Sequence, residues 1–405
     1  MELAFHLICL SLLVPAGIIT AYYLLLAVVA VLFCRKPVVR IGDKTTRFAI
    51  LIPAHNEQKC LAATLESCAA LDYPKDQVDV FVIADNCNDQ TAAIAVQAGV
   101  TCLERFNETD RGKGFALKWA FDQILPQGQD VYLIVDADCL IDSQALLSFD
   151  HYFQAGYQAV QCNYQASNPD DNSQSYAVAL ANFMENQLFC AAKSCLGFSV
   201  FLRGTGMAFH RSILEEIPWK ADSAVEDLEY SLELVHRGVK VPFATEVAVL
   251  SPFPVDKTEL DVQRKRWIGG GVAFSKMNSL KLMWQGLKSF RLSVFDAGWT
   301  LVAQSRTLVL LDTLLAAVVS AVAILIFPGQ VSDALCVASA AIIAGQVLYL
   351  LLGVFMMGLN SKRILFLMAF PLTVFRFLMI AIYALFKSKT AKSSWNRTPR
   401  AASHS

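Results

Sequence analysis

Four long stretches of the chain are almost free of charged side chains, and they limit its fold more than any other feature. They are Leu3–Phe33, Leu308–Phe327, Ala334–Met357 and Ile364–Phe386. Each has at least the roughly 20 residues that an α-helix needs to cross the hydrocarbon core of a bilayer. Between the first and the second lies a mixed segment of a size normal for one enzyme domain. The sequence therefore predicts a membrane protein with one large polar domain.

The composition agrees with this division. Of the 405 residues, 55% are hydrophobic and only 17% are charged. That is too apolar for an ordinary soluble protein and too charged for a pure bundle of membrane helices. The net charge of −1 provides no global basic field, so nucleic acid is not a predicted partner.

The first apolar stretch is predicted to be a retained anchor, residues 1–36, rather than a cleaved signal peptide. It lacks a basic region before its apolar core, and it is longer than the core of a typical signal peptide. The basic residues that follow it, from Arg35 to Arg47, favour the cytosolic side by the positive-inside rule. The polar domain is thus predicted to face the cytosol at the cytoplasmic membrane, with the N-terminus outside.

The C-terminal part contains a conflict. Residues 306–387 are predicted to form three transmembrane helices, and residues 388–405 a flexible polar tail. Four crossings in total would place that tail outside, whereas its lysines and arginines favour the inside. Either one apolar segment re-enters the membrane or the tail breaks the rule.

Three buried apolar runs alternate with helical patterns in the polar domain: Phe48–Pro53, Val78–Ile83 and Val131–Val135. This alternation predicts βαβ units and a parallel sheet that is covered on both faces. In such sheets ligands bind at the carboxyl ends of the strands. Polar side chains follow these predicted ends, namely Asn56, Glu57, Asp85, Asp136 and Asp138.

Asp136-Ala137-Asp138 places two carboxylates two residues apart where a predicted strand leaves the sheet. Oxygen ligands of this kind suit Mg²⁺ or Mn²⁺, which take the rest of their coordination from phosphates and water. The pair is also typical of a solvated loop entry. The apolar strand before it favours the metal-binding interpretation.

Two further sites suggest a phosphorylated donor. The helix after Asp85 is better capped by Asn88 or Asp89, so Asp85 is predicted to be free to meet a polar ligand such as a nucleoside. Arg111-Gly112-Lys113 is a basic turn that enters a helix. Backbone N–H groups, the positive helix end and the lysine charge suit a phosphate, although a solvated basic turn is the alternative.

Glu226-Asp227 opens a helix that is predicted to run to about Arg237. Acidic residues in a first turn complement the helix dipole, which is one interpretation. The other is catalytic: Asp227, with Glu226 beside it, would be the general base that takes the proton of an attacking sugar hydroxyl.

Gln263-Arg264-Lys265-Arg266-Trp267 is basic and ends in an aromatic residue. Trp267 could stack on a pyranose ring, and Arg264 and Arg266 could neutralise a departing diphosphate. A membrane-interface anchor is the alternative, and both roles are compatible. Residues 268–305 are predicted to form amphipathic helices in the membrane interface, with a linker folded onto the polar domain as the other interpretation.

Five motifs, taken in order and with their spacing, resemble the family 2 inverting glycosyltransferases. The resemblance is strongest to the membrane-embedded branch with cellulose, chitin, hyaluronan and poly-N-acetylglucosamine synthases. The motifs are Pro53-Ala54-His55-Asn56-Glu57, Asp85, Asp136-x-Asp138, Glu226-Asp227 and Gln263-x-x-Arg266-Trp267.

This resemblance implies an α/β fold of the GT-A type, a Rossmann-like mixed sheet, for a cytosolic domain over residues 45–267. It implies a nucleotide-sugar donor, usually a UDP-sugar. Asp85 and Asp136 would hold the nucleoside, and Asp138 would hold the metal on the diphosphate. The rest of the implied donor side is Pro53, Asn56, Glu57, Arg111 and Lys113. Trp267 would position the acceptor, and Gly204-Thr205-Gly206 would line the acceptor side near the membrane.

The favoured interpretation is an inverting, Mg²⁺- or Mn²⁺-dependent glycosyltransferase that extends a β-linked exopolysaccharide at the membrane. Four spans are few for a polymer channel, so a single-addition transferase resembling ceramide glucosyltransferases, with a membrane lipid as acceptor, stays open. A catalytically silent scaffold or secretion component is the alternative of another class. The complete set of acidic positions argues against it, because a silent protein has no need of an uncompensated carboxylate cluster.

Overall fold

Eight strands of the polar domain form one mixed sheet with the order β3-β2-β1-β4-β7-β6-β8-β5. The computed structural model describes residues 1–34, 44–220, 225–253 and 257–387, without the side chains of 257–268 and 384–387. The half of the sheet made by β1 to β4 is parallel, as the sequence predicts, while β7 runs antiparallel to β4. The strands are β1 (Phe48–Ala54), β2 (Val78–Asp85), β3 (Thr101–Arg105), β4 (Val131–Ile134), β5 (Leu140–Ile141), β6 (Ala159–Ala166), β7 (Met207–His210) and β8 (Phe243–Ser251).

Apolar cores cover both faces of this sheet, which explains why its parallel strands lack an alternating polar pattern. In β1, Phe48, Ile50 and Ile52 point into one core, whereas Ala49 and Leu51 point into the other. All five side chains are fully buried. Successive strand residues face opposite sides, so a strand that is covered twice must be apolar at every position.

Helices cover the sheet and join it to the long apolar helix at the N-terminus. They alternate with the strands through the first half of the domain, as the sequence pattern predicts. A π-helix, Met184–Cys190, separates α6 from α7. In chain order the helices are α1 (Glu2–Leu32), α2 (Leu61–Ala69), α3 (Thr91–Gln97), α4 (Lys113–Ile124), α5 (Ala145–Gln154), α6 (Ser173–Phe183), α7 (Ala191–Cys195), α8 (Arg211–Glu216) and α9 (Glu226–Arg237).

The rest of the described chain is helical. Three helices are long and apolar enough to cross a membrane, namely α1, α12 and α13. These match three of the four predicted spans. The helices are α10 (Lys257–Lys288), α11 (Leu292–Ala303), α12 (Arg306–Ile326), α13 (Gln330–Met357), α14 (Ser361–Met368) and α15 (Phe370–Lys387).

The helices α1, α12 and α13 pack together along their whole length. At one end the rings of Phe5 and Phe327 lie 5.7 Å apart. One turn further along α1, the Cys9 thiol lies 2.8 Å from the Ser320 hydroxyl. At the end near the sheet, Tyr23 stacks on Tyr349 at 5.3 Å. The first pair joins α1 to the end of α12, and the last pair joins α1 to α13, so α1 packs against both of these helices.

The fourth predicted span, Ile364–Phe386, is not one straight helix. It consists of α14 and α15, which meet at a bend of 53°. The guanidinium of Arg363 makes two hydrogen bonds to the Asp170 carboxylate, at 2.7 and 2.9 Å. The start of this bent pair is therefore fixed to the polar domain.

The helix α10 begins at Lys257, ten residues before the predicted boundary between catalytic and interface segments at 267. It runs through that boundary without a break and turns at Ser289 into α11. The two helices form a close hairpin. The interface helices predicted over 268–305 are thus continuous with the segment that carries Gln263–Trp267.

Candidate active site

The Asp136-x-Asp138 pair lies in the turn that follows β4. The amide of Asp136 donates to the Thr205 hydroxyl at 3.0 Å, and the Cys139 amide donates to the Asp136 carbonyl at 3.0 Å. These bonds hold the turn at the carboxyl end of the strand. Ligand atoms of Asp136, Asp138 and Cys139 all lie within 4.8 Å of one another. The two carboxylates fit a hard divalent ion such as Mg²⁺ or Mn²⁺, which prefers oxygen.

Lys113 connects this turn to the rest of the site. Its ammonium group forms an ion pair with Asp136 and donates to the Gly204 carbonyl at 2.7 Å. Gly112 precedes it with a φ of 123°, in a region that only glycine adopts freely, and α4 begins at Lys113. Burial alone would lower the pKa of Lys113, but the carboxylates of Asp136, Glu226 and Asp227 raise it. Lys113 is therefore a fixed positive charge.

Glu226 and Asp227 form the first turn of α9, and their carboxyl groups share one environment. Burial raises the pKa of Glu226 to about 7, the neighbouring charge of Asp227 adds to this effect, and Lys113 opposes it. Burial also raises the pKa of Asp227. The Leu228 amide donates to Asp227 Oδ1 at 2.9 Å, which fixes that side chain. Raised carboxyl pKa values in a polar cluster are typical of acid–base chemistry.

Gly204-Thr205-Gly206 lies between these two carboxylate sites. Thr205 binds the Asp136 amide, and the Gly204 carbonyl binds Lys113. A Cβ atom on Gly204 would lie 3.7 Å from Asp227 Oδ2. The structure therefore brings this predicted segment together with Lys113, Asp136 and Asp227.

The sequence predicts that Asp85 is free to meet a ligand. In the structure Asp85 is instead buried in an ion pair. Its Oδ1 lies 2.5 Å from the guanidinium of Arg105, and both side chains are less than a tenth exposed. The two residues are register partners on the parallel strands β2 and β3. The prediction overlooked this partner because Arg105 ends a strand of only five residues, and that strand has no run of apolar residues to mark it in the sequence. The sequence predicts Asn88 or Asp89 as the N-cap of α3, but the N-cap is Gln90, although the Asp89 carboxylate accepts from the Thr91 amide at 2.9 Å.

Arg105 also anchors the loop that leads to Lys113. Its second amino group donates to the Asp110 carbonyl at 2.7 Å. Arg111 follows in this loop and is exposed. One buried guanidinium thus connects the Asp85 strand end to the basic turn. Arg105 belongs to the site although nothing in the sequence pattern singled it out.

The loops after β1 and β2 are tied to each other. The Asn56 side chain accepts from the Asn88 amide at 2.8 Å, and the Glu57 amide donates to the Thr91 hydroxyl at 2.8 Å. Asn56 has a φ of 57°, a left-handed conformation that asparagine tolerates well. Pro53 is the partly buried residue of β1 and lies three residues before Asn56. The predicted donor residues Pro53, Asn56 and Glu57 therefore line the same sheet edge as Asp85.

The predicted acceptor motif lies within α10. Its members are Gln263, Arg264, Arg266 and Trp267, and their side chains are outside the described part of the chain. Three residues later, a Cβ atom on Gly270 would lie 2.8 Å from Val225 Cγ1. Val225 is the residue before Glu226. The helix that carries the motif therefore passes directly beside the start of α9.

The sequence model of one protein family, described as glycosyltransferase-like family 2, matches residues 46–270. This range is more than half of the chain, and it contains every predicted site residue. The chain belongs to glycosyltransferase family 2. The mixed sheet with its acidic turn after β4 is the GT-A fold, and several helices beside it are apolar enough to span a membrane.

Curated relatives match the same part of the chain. The β-monoglucosyldiacylglycerol synthase of Trichormus variabilis is 27% identical over 231 residues, which are 55% of this chain and 48% of the relative. The poly-β-1,6-N-acetyl-D-glucosamine synthase of Staphylococcus aureus is 24% identical over 249 residues, 58% of this chain and 57% of the relative. The chain thus spans about half the length of the curated relatives that it matches.

A solved structure extends the similarity of fold to the helical part. It is the mannosyltransferase PcManGT from Pyrobaculum calidifontis in complex with GDP-mannose and Mn²⁺. The alignment covers 95% of this chain and 100% of the other, with a TM-score of 0.58 and 19% sequence identity. At this identity the similarity supports the fold alone.

Proposed function

We propose that this protein transfers a sugar, with inversion, from a UDP-sugar to an acceptor at the membrane. The observation that carries the proposal is the cluster of Lys113, Asp136, Glu226 and Asp227 at the carboxyl edge of the sheet. It combines a fixed positive charge with two carboxyl groups of raised pKa. Such a site is what transfer from a diphosphate donor requires.

The roles follow from position and charge. Asp227 would accept the proton of the acceptor hydroxyl, and Glu226 would tune its ionisation. Asp85, held by Arg105, would form the wall of the nucleoside pocket together with Asp136. Lys113 and Arg111 would face the donor phosphates. Residues Gln263 to Trp267 would hold the acceptor and the leaving diphosphate, as in the resemblance given above.

Asp138, with Asp136, would hold Mg²⁺ or Mn²⁺. A bound divalent ion would supply charge neutralisation for the donor diphosphate. The Cys139 thiol lies close to the same carboxylates, but burial raises its pKa well above the ordinary value, so it is a neutral neighbour. The oxygen atoms of the two aspartates are therefore the proposed ligands.

For the acceptor we propose a membrane lipid. The bundle of α1, α12 and α13 is filled along its axis: Cys9, Thr313 and Ser320 are fully buried, and Gln346 donates to Thr313 at 2.8 Å. These three helices therefore enclose no lumen for a polymer. The similarity to β-monoglucosyldiacylglycerol synthases supports the same choice. The similarity to poly-N-acetylglucosamine synthases keeps the exopolysaccharide as the second candidate.

One assay tests these alternatives. Purified protein in lipid nanodiscs is incubated with a panel of radiolabelled UDP-sugars and diacylglycerol, with Mn²⁺, Mg²⁺ or a chelator. Label in the organic phase identifies a glycolipid, and label in a large aqueous product identifies a polymer. Full turnover in the chelator would contradict the metal assignment. Absence of turnover with every donor would favour the silent scaffold over the proposed enzyme.

A further inference from the structure

The helices α10 and α11 form a hairpin that has little freedom to deform. A Cβ atom on Gly298 would lie 2.6 Å from the Ser279 carbonyl oxygen and 2.7 Å from the Met283 nitrogen. A Cβ atom on Gly286 would lie 2.6 Å from Phe295 Cα. Backbone therefore meets backbone at two levels, and interiors packed this closely do not deform continuously. The hairpin is expected to move as one unit.

This hairpin carries one half of the proposed site and touches the other. Its α10 segment contains Gln263–Trp267. Its apolar side packs on α9, where Leu228, Leu232 and Val235 share a core with residues of both hairpin helices. Because α9 begins with Glu226-Asp227, the position of the hairpin against α9 sets the distance between the proposed base and the acceptor motif.

A buried ion pair fixes the position of the hairpin. The Lys193 ammonium lies 2.8 Å from Asp296 Oδ2, and the two side chains are 2% and 11% exposed. Lys193 also donates to the Thr300 hydroxyl, and the Tyr22 hydroxyl donates to Asp296 at 3.1 Å. The charge of Lys193 lies 5.5 Å from the centre of the Phe189 ring. The pair thus joins α7 of the catalytic domain, α11 of the hairpin and the membrane helix α1.

Stability alone does not explain such a pair. Removing two charges from water costs about as much as their attraction returns, and apolar residues of similar volume often serve equally well. A buried pair does, however, allow only one arrangement of the two helices, because any shift of α11 along α7 would leave both buried charges without partners. An ion pair at this point therefore selects a single position of the hairpin.

We propose that Lys193 and Asp296 are positioning residues, which hold the α10–α11 hairpin so that the α10 segment with the acceptor motif stays beside the start of α9. The proposal rests on the glycosyltransferase function proposed above. Neither residue needs to touch donor or acceptor. The expected consequence is specific: the donor side of the site, at Asp85 and Asp136, lies on other elements and should not respond when the pair is broken.

The test compares kinetic constants of Asp296→Asn and Lys193→Met with those of the wild type. We expect kcat to fall about tenfold to a hundredfold, since displacements near 1 Å have effects of this size. The Kd for uridine, which occupies only the nucleoside pocket, should stay within about twofold. The affinity for UDP is not the control, because the proposed acceptor motif on α10 also holds the leaving diphosphate. The conservative variant Lys193→Arg, which keeps the charge, should recover most of kcat.

Two control variants separate positioning from lost stability. Glu215→Gln breaks the exposed pair of Arg211 with Glu215, and Ile213→Val removes one methyl group from the core on α8, outside the hairpin. Both should keep the wild-type kcat even where thermal stability drops. A wild-type kcat in Asp296→Asn, or a loss of uridine affinity that parallels the loss of kcat, would overturn the proposal.

Milder variants keep the test decisive if a buried lone charge prevents folding. Thr300→Ala and Tyr22→Phe each remove one hydrogen bond to the pair and leave both charges in place. They should lower kcat by a few-fold with unchanged uridine affinity, and normal kcat in both would contradict positioning. A wild-type protein that turns over no UDP-sugar would instead refute the proposed function, whatever the variants do.

Discussion

At the residue scale, the proposed base works only while its carboxyl group is ionised. Burial raises the pKa of Asp227 and that of Glu226, to about 7 for Glu226. Transfer should therefore be full above these pKa values and be lost as the pH falls through them. The loss should begin at a higher pH than for an exposed carboxylate, whose pKa is about 4.

The charge of Lys113 affects the pH of the acid limb, which is the part of the activity profile where kcat falls as the pH falls. Its attraction lowers the pKa of both carboxyl groups, against the larger effect of burial. In Lys113→Met the two pKa values should rise further, so the acid limb of the profile of kcat against pH should move to higher pH. Lys118→Met, an exposed lysine on the same helix, is the matched control and should leave the limb in place. A limb that stays fixed in Lys113→Met would separate Lys113 from the base.

Asp227→Asn tests the base directly. The amide cannot accept the hydroxyl proton, and a positioned base contributes about 10²–10⁴-fold to a rate. We expect kcat to fall by that factor while UDP binding, measured by calorimetry, stays close to wild type. An Asp227→Asn enzyme with full activity would remove this residue from the role, and Glu226→Gln would then be the next variant to measure.

Arg105 illustrates the difference between a buried and an exposed ion pair. In Arg105→Met the Asp85 carboxylate stays buried without its partner, which should cost about 3–5 kcal/mol of unfolding free energy. Arg47→Met breaks the pair with Asp79, in which both side chains are about half exposed, and should cost about 0–1 kcal/mol. Denaturant unfolding of the detergent-solubilised protein measures both. Equal losses in the two variants would show that the Asp85–Arg105 pair has no special importance.

Some of these site residues could be predicted from the sequence, and Arg105 could not. Asp136, Asp138, Glu226 and Asp227 were predictable because each follows a strand end or opens a helix, and strand ends meet at one edge. Arg105 was not, because its importance comes from the neighbour that a parallel sheet places beside it. A buried carboxylate at a strand end does imply a cationic partner, and the sequence alone does not tell which cation supplies it.

At the element scale, the close backbone contact between α10 and α11 depends on glycine. Gly298→Ala would press a methyl group against the Ser279 carbonyl, and overpacking of this kind costs about 1–3 kcal/mol. We expect a lower melting temperature together with a lower kcat, because the hairpin must open. Gly271→Ala on α10 meets nothing within 4 Å and should be neutral or stabilising, since alanine is the better helix former. Equal behaviour of the two variants would contradict the close packing.

Elements were predictable where the pattern was strong. The runs Phe48–Pro53 and Val131–Val135 are apolar at every position, and both became central strands. The break within Ile364–Phe386 has a sequence signal that the prediction overlooked. Pro371 has no N–H to donate to the carbonyl four residues earlier, so the helix is interrupted just before it. The start of α10 was missed for a different reason. A charged segment such as 257–267 carries no clear apolar periodicity, although the chain there is helical.

At the scale of the whole molecule, the bent pair decides the topology of the membrane part. Near its start, Arg363 binds Asp170 of the polar domain. In the middle of α15, Phe377 and Ile380 share a core with Val178 and Phe253 of the same domain. A spanning segment would have ends about 30 Å apart on opposite sides of the bilayer. Because both helices of this pair contact one domain, we infer that α14 and α15 lie on its side of the membrane.

Three predicted crossings, by α1, α12 and α13, then remain among the described helices. With the N-terminus outside, as the sequence predicts, three crossings would place residue 387 on the side of the catalytic domain, where the lysines and arginines of 388–405 would satisfy the positive-inside rule. Green fluorescent protein fused after Ser405 should fluoresce in the cytosol, and alkaline phosphatase fused there should be inactive. The same phosphatase inserted at Gly329, between α12 and α13, should be active and serves as the control. An active phosphatase at Ser405 would show that the bent pair crosses the membrane after all.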